Sequence, residues 1–138
     1  MNVDAIVTAL GLAPHPEGGF FRETWRHEPA GGGRGAGTAI YFLLTRERPS
    51  RWHRVDAAEI WHFYAGAPLL LSVAGDGERR RDDVLGTDLA AGERPQRIVP
   101  AGAWQSARSL GEWTLAGCTV SPAFEFARFE LAPDGFSP

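Results

Sequence analysis

Seventeen glycines and ten prolines cut this 138-residue chain into short apolar runs, and that punctuation is what most limits its fold. No run approaches the ~20 apolar residues of a membrane-spanning helix. The runs have strand length instead. They fall at residues 20–25, 38–44, 59–64, 69–74, 83–85, 96–99, 113–120 and 124–131, with turn residues between them. A turn at 66–68 and a tight hairpin at Asp76-Gly77 join neighbouring runs. Eight or nine short, evenly spaced strands predict a β-sandwich or barrel, and a two-sheet jelly roll fits the count. The one helix is short and N-terminal: Val3, Ile6, Val7 and Leu10 recur at helical spacing, Asn2 can cap the start and Gly11 stops it. The 38–44 run, TAIYFLL, lacks alternation, so both of its faces are expected to be covered. The glycine-rich stretch 31–37 is a loop.

Residues 1–138 form one domain, long enough to bury a substantial core. The net charge is −3, and the one basic run, Arg79–Arg80–Arg81, is followed at once by Asp82 and Asp83. Nothing here calls for a nucleic-acid partner. All basic residues are arginines, which excludes Schiff-base chemistry, since that needs a lysine amine. Cys118 is the single cysteine, so no intrachain disulfide is available, and its apolar setting (LAGCTV) reads as a buried, inert thiol. The N-terminus has neither a basic segment nor a long apolar run, so the expectation is a cytoplasmic protein that does not enter membranes.

Candidate chemistry concentrates in residues 52–66, WHRVDAAEIWHFYAG, and 100–105, PAGAWQ. In an extended strand Glu59, Trp61 and Phe63 share one face, while Ile60, His62 and Tyr64 share the other. A carboxylate beside two aromatics goes inside only if it is paired, ligates a metal or shifts its pKa, and His53 is the available partner. A histidine held by a carboxylate can serve as a general base. Tyr41 and Tyr64 are the candidate acids, although alternation alone does not say which face of its strand Tyr41 shares with the site. Arg22 and Glu23 are adjacent, so only one of them can face a pocket; Arg22 could grip an anion in bidentate fashion or simply brace the strand. Trp52, Trp61, Trp104 and Phe63 either pack the core or line a pocket that stacks on a ring. Gly18 and Gly19 read as a turn, His15 between two prolines as structural, and His27 as exposed.

With these residues in view, the chain resembles the cupin superfamily. That family's first motif is glycine, two histidines one residue apart, a glutamate and a glycine; its second is proline-x-glycine-x-x-histidine. His53, Glu59 and Gly66 match the first motif, and Pro100 and Gly102 the second. Val55 and Gln105 stand where two further imidazoles belong. PHPEGGFFRET (14–24), TAIYFLL, LG at 85–86, PAGAWQ and LAGCTVSPAFEFARFEL (115–131) narrow the resemblance to the fifth cupin domain family, over about residues 5–131. The resemblance implies a double-stranded β-helix jelly roll, a homodimer and a pocket inside the barrel. It also implies a small-molecule ligand, sugar-like or carbonyl-containing, and an isomerase- or epimerase-like activity. In that mechanism His53 is the base, Glu59 orients it, Gln105 donates to a developing enolate oxygen, Tyr41 is the acid and Arg22 anchors an anion, with Glu23, Trp61, Phe63 and Trp104 completing the substrate site. No cofactor is expected. The alternatives are a divalent metal on His53, Glu59 and Gln105 (with His62 and water), giving a metal-dependent oxygenase or isomerase, and a binding protein without catalysis.

Overall fold

A computed structural model describes all residues 1–138. Helix α1 (Val3–Leu10) is capped by the Asn2 side chain, which accepts from the Ala5 N–H at 2.8 Å, and ends at Gly11 in the left-handed region. Eleven strands follow. They are β1 (Ala13–Pro14), β2 (Phe20–Arg26), β3 (Thr38–Thr45), β4 (Ser50–Val55), β5 (Ala58–Gly66), β6 (Leu69–Ala74), β7 (Arg81–Leu85), β8 (Gln96–Val99), β9 (Trp104–Ser109), β10 (Trp113–Ser121) and β11 (Phe129–Leu131). Two sheets pack face to face, one ordered β1-β2-β3-β10-β5-β8 and the other β11-β4-β9-β6-β7, with antiparallel pairing throughout both. This is an all-β jelly roll with one N-terminal helix.

Several stretches depart from the sequence expectation: strands β1 and β4 lie outside the apolar runs. Residues 104–109 form a central strand, β9, whose alternation is masked because small and polar residues occupy both of its faces. Residues 124–131 are not one strand: a turn of 3₁₀-helix (Phe126–Arg128) precedes a three-residue β11. Phe124, Phe126 and Phe129 there form an aromatic cluster instead of a ladder, with ring centroids 4.8–6.2 Å apart.

Both faces of β3 are covered, as the lack of alternation implied. Its inner face contributes Phe42 and Leu44 to a core shared with Trp61, Leu69, Leu71, Val73, Leu85 and Val99 between the sheets. Its outer face carries Leu43, fully buried beneath Ile6 and Leu12, so α1 closes one end of the six-stranded sheet from outside. The inter-sheet core fills only part of the barrel; the remainder holds the polar residues described next. Leu71 is 1% exposed in the packed half, and Leu71→Ala should cost about 2–5 kcal/mol of stability, read as a lowered denaturant midpoint at unchanged slope.

Candidate active site

Three local devices bring charge into the barrel. The first is a tight turn at His15–Gly19. The His15 N–H donates to the Gly19 carbonyl and the Gly18 N–H to the His15 carbonyl, both at 3.0 Å. Gly18 and Gly19 adopt φ of 121° and 70°, and a Cβ on Gly18 would lie 1.9 Å from the Pro49 carbonyl oxygen. Only glycine fits there. The turn turns Glu17 into the barrel, where it is 4% exposed.

The second device is a bulge in β4. Ser50 pairs with Ala107 and His53 with Gln105, so three residues on β4 span two on β9. His53 thereby faces inward beside Gln105. Its Nδ1 lies 2.7 Å from the Arg51 carbonyl oxygen, which assigns the proton to that nitrogen, and its Nε2 is 2.7 Å from Glu17 Oε2. The third is the alternation of β5, which points Glu59 inward on the face of Trp61. Gln105 donates its Nε2–H to Glu59 Oε1 at 2.7 Å and accepts the Trp61 indole N–H on Oε1 at 2.9 Å. Cys118, opposite Trp61 in the β10–β5 register, lies with Glu59 on the wall of the same void.

Burial alone would depress the His53 pKa, but the charge and hydrogen bond of Glu17, with help from Glu59, outweigh it and raise the imidazole to about 8. Burial also raises Glu59, against the opposing pull of His53, so its neutral form is favoured relative to a solvated glutamate. His15 is pushed down, chiefly by burial, and its Nδ1 accepts the Glu17 N–H at 3.1 Å. Burial holds the Cys118 thiol well above its ordinary value, so it is a donor and not a nucleophile.

These groups border a void of about 40 Å³ lined by His15, Glu17, Glu23, His53, Glu59 and Cys118, with Phe21, Phe124 and Phe126 on its apolar side. At roughly 10–15 Å³ for a water-sized group, it holds about three or four such groups.

The structure therefore gathers His53, Glu59 and Gln105, and adds Glu17, which sequence reasoning passed over. The available signal was a glutamate set in a turn that two glycines fix. Of the adjacent pair, Glu23 lines the void; its two oxygens also accept from Arg26 Nε and Nη2, each at 2.8 Å. Arg22 points the other way, to the Leu10 carbonyl at the end of α1, and braces the strand, so it anchors no ligand in the barrel. Tyr41 lies on the outer face of β3, edge-on to Tyr64 at 6.3 Å, and cannot reach the void as an acid. Trp61 and Phe63 face inward but pack in the core away from the void, Trp61 stacking on Phe42 at 5.5 Å. Trp104 packs between Arg54, 4.4 Å above its ring, and Phe136, not against the void. His62 is on the outer face, 3.1 Å from Thr119 Oγ1.

A six-stranded and a five-stranded sheet enclosing one polar pocket, with His53, Glu59 and Gln105 converging from β4, β5 and β9, is the arrangement by which a family can be checked. The family model described as Cupin superfamily (DUF985) matches residues 4–132. The chain belongs to the cupin superfamily. It is 40% identical to protein SO0799 from Shewanella oneidensis, whose structure superposes with a TM-score of 0.90 over 96% of this chain and 85% of that one. It is 29% identical to the uncharacterized protein YML079W of Saccharomyces cerevisiae, covering 91% of this chain and 72% of that protein. Oxalate decarboxylase from Bacillus subtilis, at 14% identity and a TM-score of 0.65 over 86% of this chain and 29% of that one, shares the fold alone.

A divalent metal on His53, Glu59 and Gln105 would meet donors that are already engaged. No three His, Cys, Asp or Glu side chains are arranged to hold an ion. Gln105 has one ligating atom, its Oε1, and that oxygen accepts from Trp61. Val55 offers no donor, and both nitrogens of His53 have partners. A catalytic site needs about three protein ligands with an open position.

Because His53 binds its proton more tightly folded (about 8) than unfolded (6.5), its stabilisation is complete below pH 6.5 and disappears as pH rises through 8. Glu59, raised by burial, acts in the same direction from its ordinary value of 4.5 upward. The unfolding free energy from denaturant titrations should therefore fall between pH 6.5 and about 8 by on the order of 2 kcal/mol, and His53→Gln should flatten that slope.

Proposed function

We propose that this cupin binds a small carbonyl-containing molecule in the barrel and moves a proton at the carbon next to the carbonyl, an isomerase-like reaction. One observation carries this reading: a histidine and a glutamate in contact at 2.7 Å, each no more than 5% exposed, on the wall of a void. Such a pair is costly to bury, and its place beside a raised carboxyl fits acid–base work.

The geometry changes the roles from those the family resemblance implies. Glu17, with His53 donating to it from Nε2, takes the proton from the α-carbon. Glu59, whose pKa is raised by burial, delivers its proton to the carbonyl oxygen, giving an enediol. Return of a proton from Glu17 to the neighbouring carbon, with Glu59 taking back the hydroxyl proton, completes the isomerisation and restores both groups. Gln105 uses both ends of its amide on Trp61 and Glu59, so it holds Glu59 in place and does not touch the enolate. The homodimer implied by the resemblance belongs to this reading too, and sedimentation velocity checks it.

The test is deuterium uptake from D₂O into a panel of small hydroxyketones, followed by NMR. His53→Gln and Glu17→Gln should each slow exchange about 10²–10⁴-fold. Tyr41→Phe, on the outer face, should leave it unchanged. Exchange at the native rate in both the His53 and Glu17 variants would sink the proposal.

A further inference from the structure

In its closed form the void does not admit the substrate proposed for it. It takes about three or four water-sized groups, and even the smallest hydroxyketone has more heavy atoms than that. A substrate enters only if a wall moves, and the walls differ in how they are held.

Most of the lining comes from β2, β3, β4, β5 and β10, whose backbones are laddered to neighbouring strands. His15 and Glu17 sit in the glycine turn, fixed by its own hydrogen bonds and by the Arg51 N–H on the Glu17 carbonyl. Phe124 is pinned at both backbone polar groups: its N–H donates to Thr38 Oγ1 at 3.1 Å, and its carbonyl accepts from Arg26 Nη2 at 2.8 Å. Beyond it, Phe129 is fixed in β11 opposite Val55. Phe126 lies between these two anchors. It belongs to the turn of 3₁₀-helix, whose backbone hydrogen bonds are internal, Arg128 N–H to the Glu125 carbonyl and Phe129 N–H to the Phe126 carbonyl.

Side chains alone tie residues 125–128 to the rest of the molecule. The Phe126 ring rests against His15 with centroids 5.8 Å apart, and it is already 51% exposed, so it has little burial to lose. Arg128 reaches Asp56 at 3.3 Å and Glu125 at 3.5 Å, and Arg34 reaches Glu125 at 3.3 Å. Arg128, Asp56 and Glu125 are all solvent-exposed, and ion pairs in such settings hold weakly.

Building on the acid–base reading of this cavity, we propose that residues 125–128 are its gate: the segment swings outward between Phe124 and Phe129, lifting the Phe126 ring off His15, and the ion pairs of Arg128 with Asp56 and Glu125 set how often it opens. Substrate reaches Glu17 and Glu59 by this route, and water is excluded when Phe126 returns. Few ties, all of them at the surface, mark a segment that opens without unfolding the strands behind it.

Cys118 reports the opening. It is the single cysteine, it lines the void and it is buried, so a neutral alkylating agent such as iodoacetamide reaches it only through an opening. Alkylation of the native protein, timed by mass spectrometry at mildly alkaline pH, should proceed at a rate that urea leaves unchanged below the unfolding transition, because local opening exposes little surface. Phe126→Ala should raise that rate at least about tenfold and Arg128→Gln about threefold, while Leu71→Ala, in the packed half, should stay near the native rate. Alkylation that occurs only through global unfolding, rising with urea from the start and with Leu71→Ala, would overturn the gate. So would alkylation indifferent to both Phe126→Ala and Arg128→Gln. If the two gate variants accelerate alkylation and no hydroxyketone exchanges deuterium, the gate stands and the acid–base reading falls. If hydroxyketones exchange in the native protein while Cys118 is reached only by global unfolding, the gate falls and the acid–base reading stands.

Discussion

His53 and Glu17 meet at 2.7 Å with almost no exposure to water, where either charge alone would cost several kcal/mol. Much of the surrounding structure answers that demand. The Arg51 carbonyl takes the second imidazole proton, the glycine turn fixes the carboxylate, and Arg51 in turn donates its backbone N–H to the Glu17 carbonyl at 2.8 Å. The pair thus ties the loop before β2 to the start of β4, two segments far apart in sequence. Removing either partner would leave the other charged and alone, which is why such pairs are kept intact or lost together.

The fold was largely legible because punctuation and strand length are local signals. Helix α1 could be read to its caps, since Asn2, the Val3–Leu10 periodicity and Gly11 each act through neighbours in sequence. Strand β9 was not legible: its inward residues are Gln105 and Ala107, and a polar side chain turned to the core breaks the pattern on which alternation depends. Within the site, parity along β5 correctly separated Glu59 from His62. It could not orient Tyr41, because β3 is covered on both faces, by the inter-sheet core inside and by α1 outside. Glu17 escaped for a different reason. It belongs to no periodic element, and only the three-dimensional course of the turn shows that its side chain enters the barrel.

Gln105 shows how one side chain can join two buried groups on a strand of the facing sheet. An imidazole there would present a lone pair to the barrel; the amide turns its single acceptor to Trp61 and its donor to Glu59. The result is a buried line, Trp61–Gln105–Glu59, in which the indole N–H and both ends of the amide have partners, the condition under which polar groups rigidify an interior without weakening it.

The β4 bulge carries a consequence for how this family can change length. Ser50 and His53 both face inward although they are three residues apart, because one extra residue is absorbed between them. Plain alternation over that odd spacing would put them on opposite faces, so the bulge is what keeps the imidazole inside. Loss of the extra residue would restore even spacing and leave both side chains inward, whereas straightening the strand at its present length would swing the imidazole to solvent and drive Trp52 into the barrel.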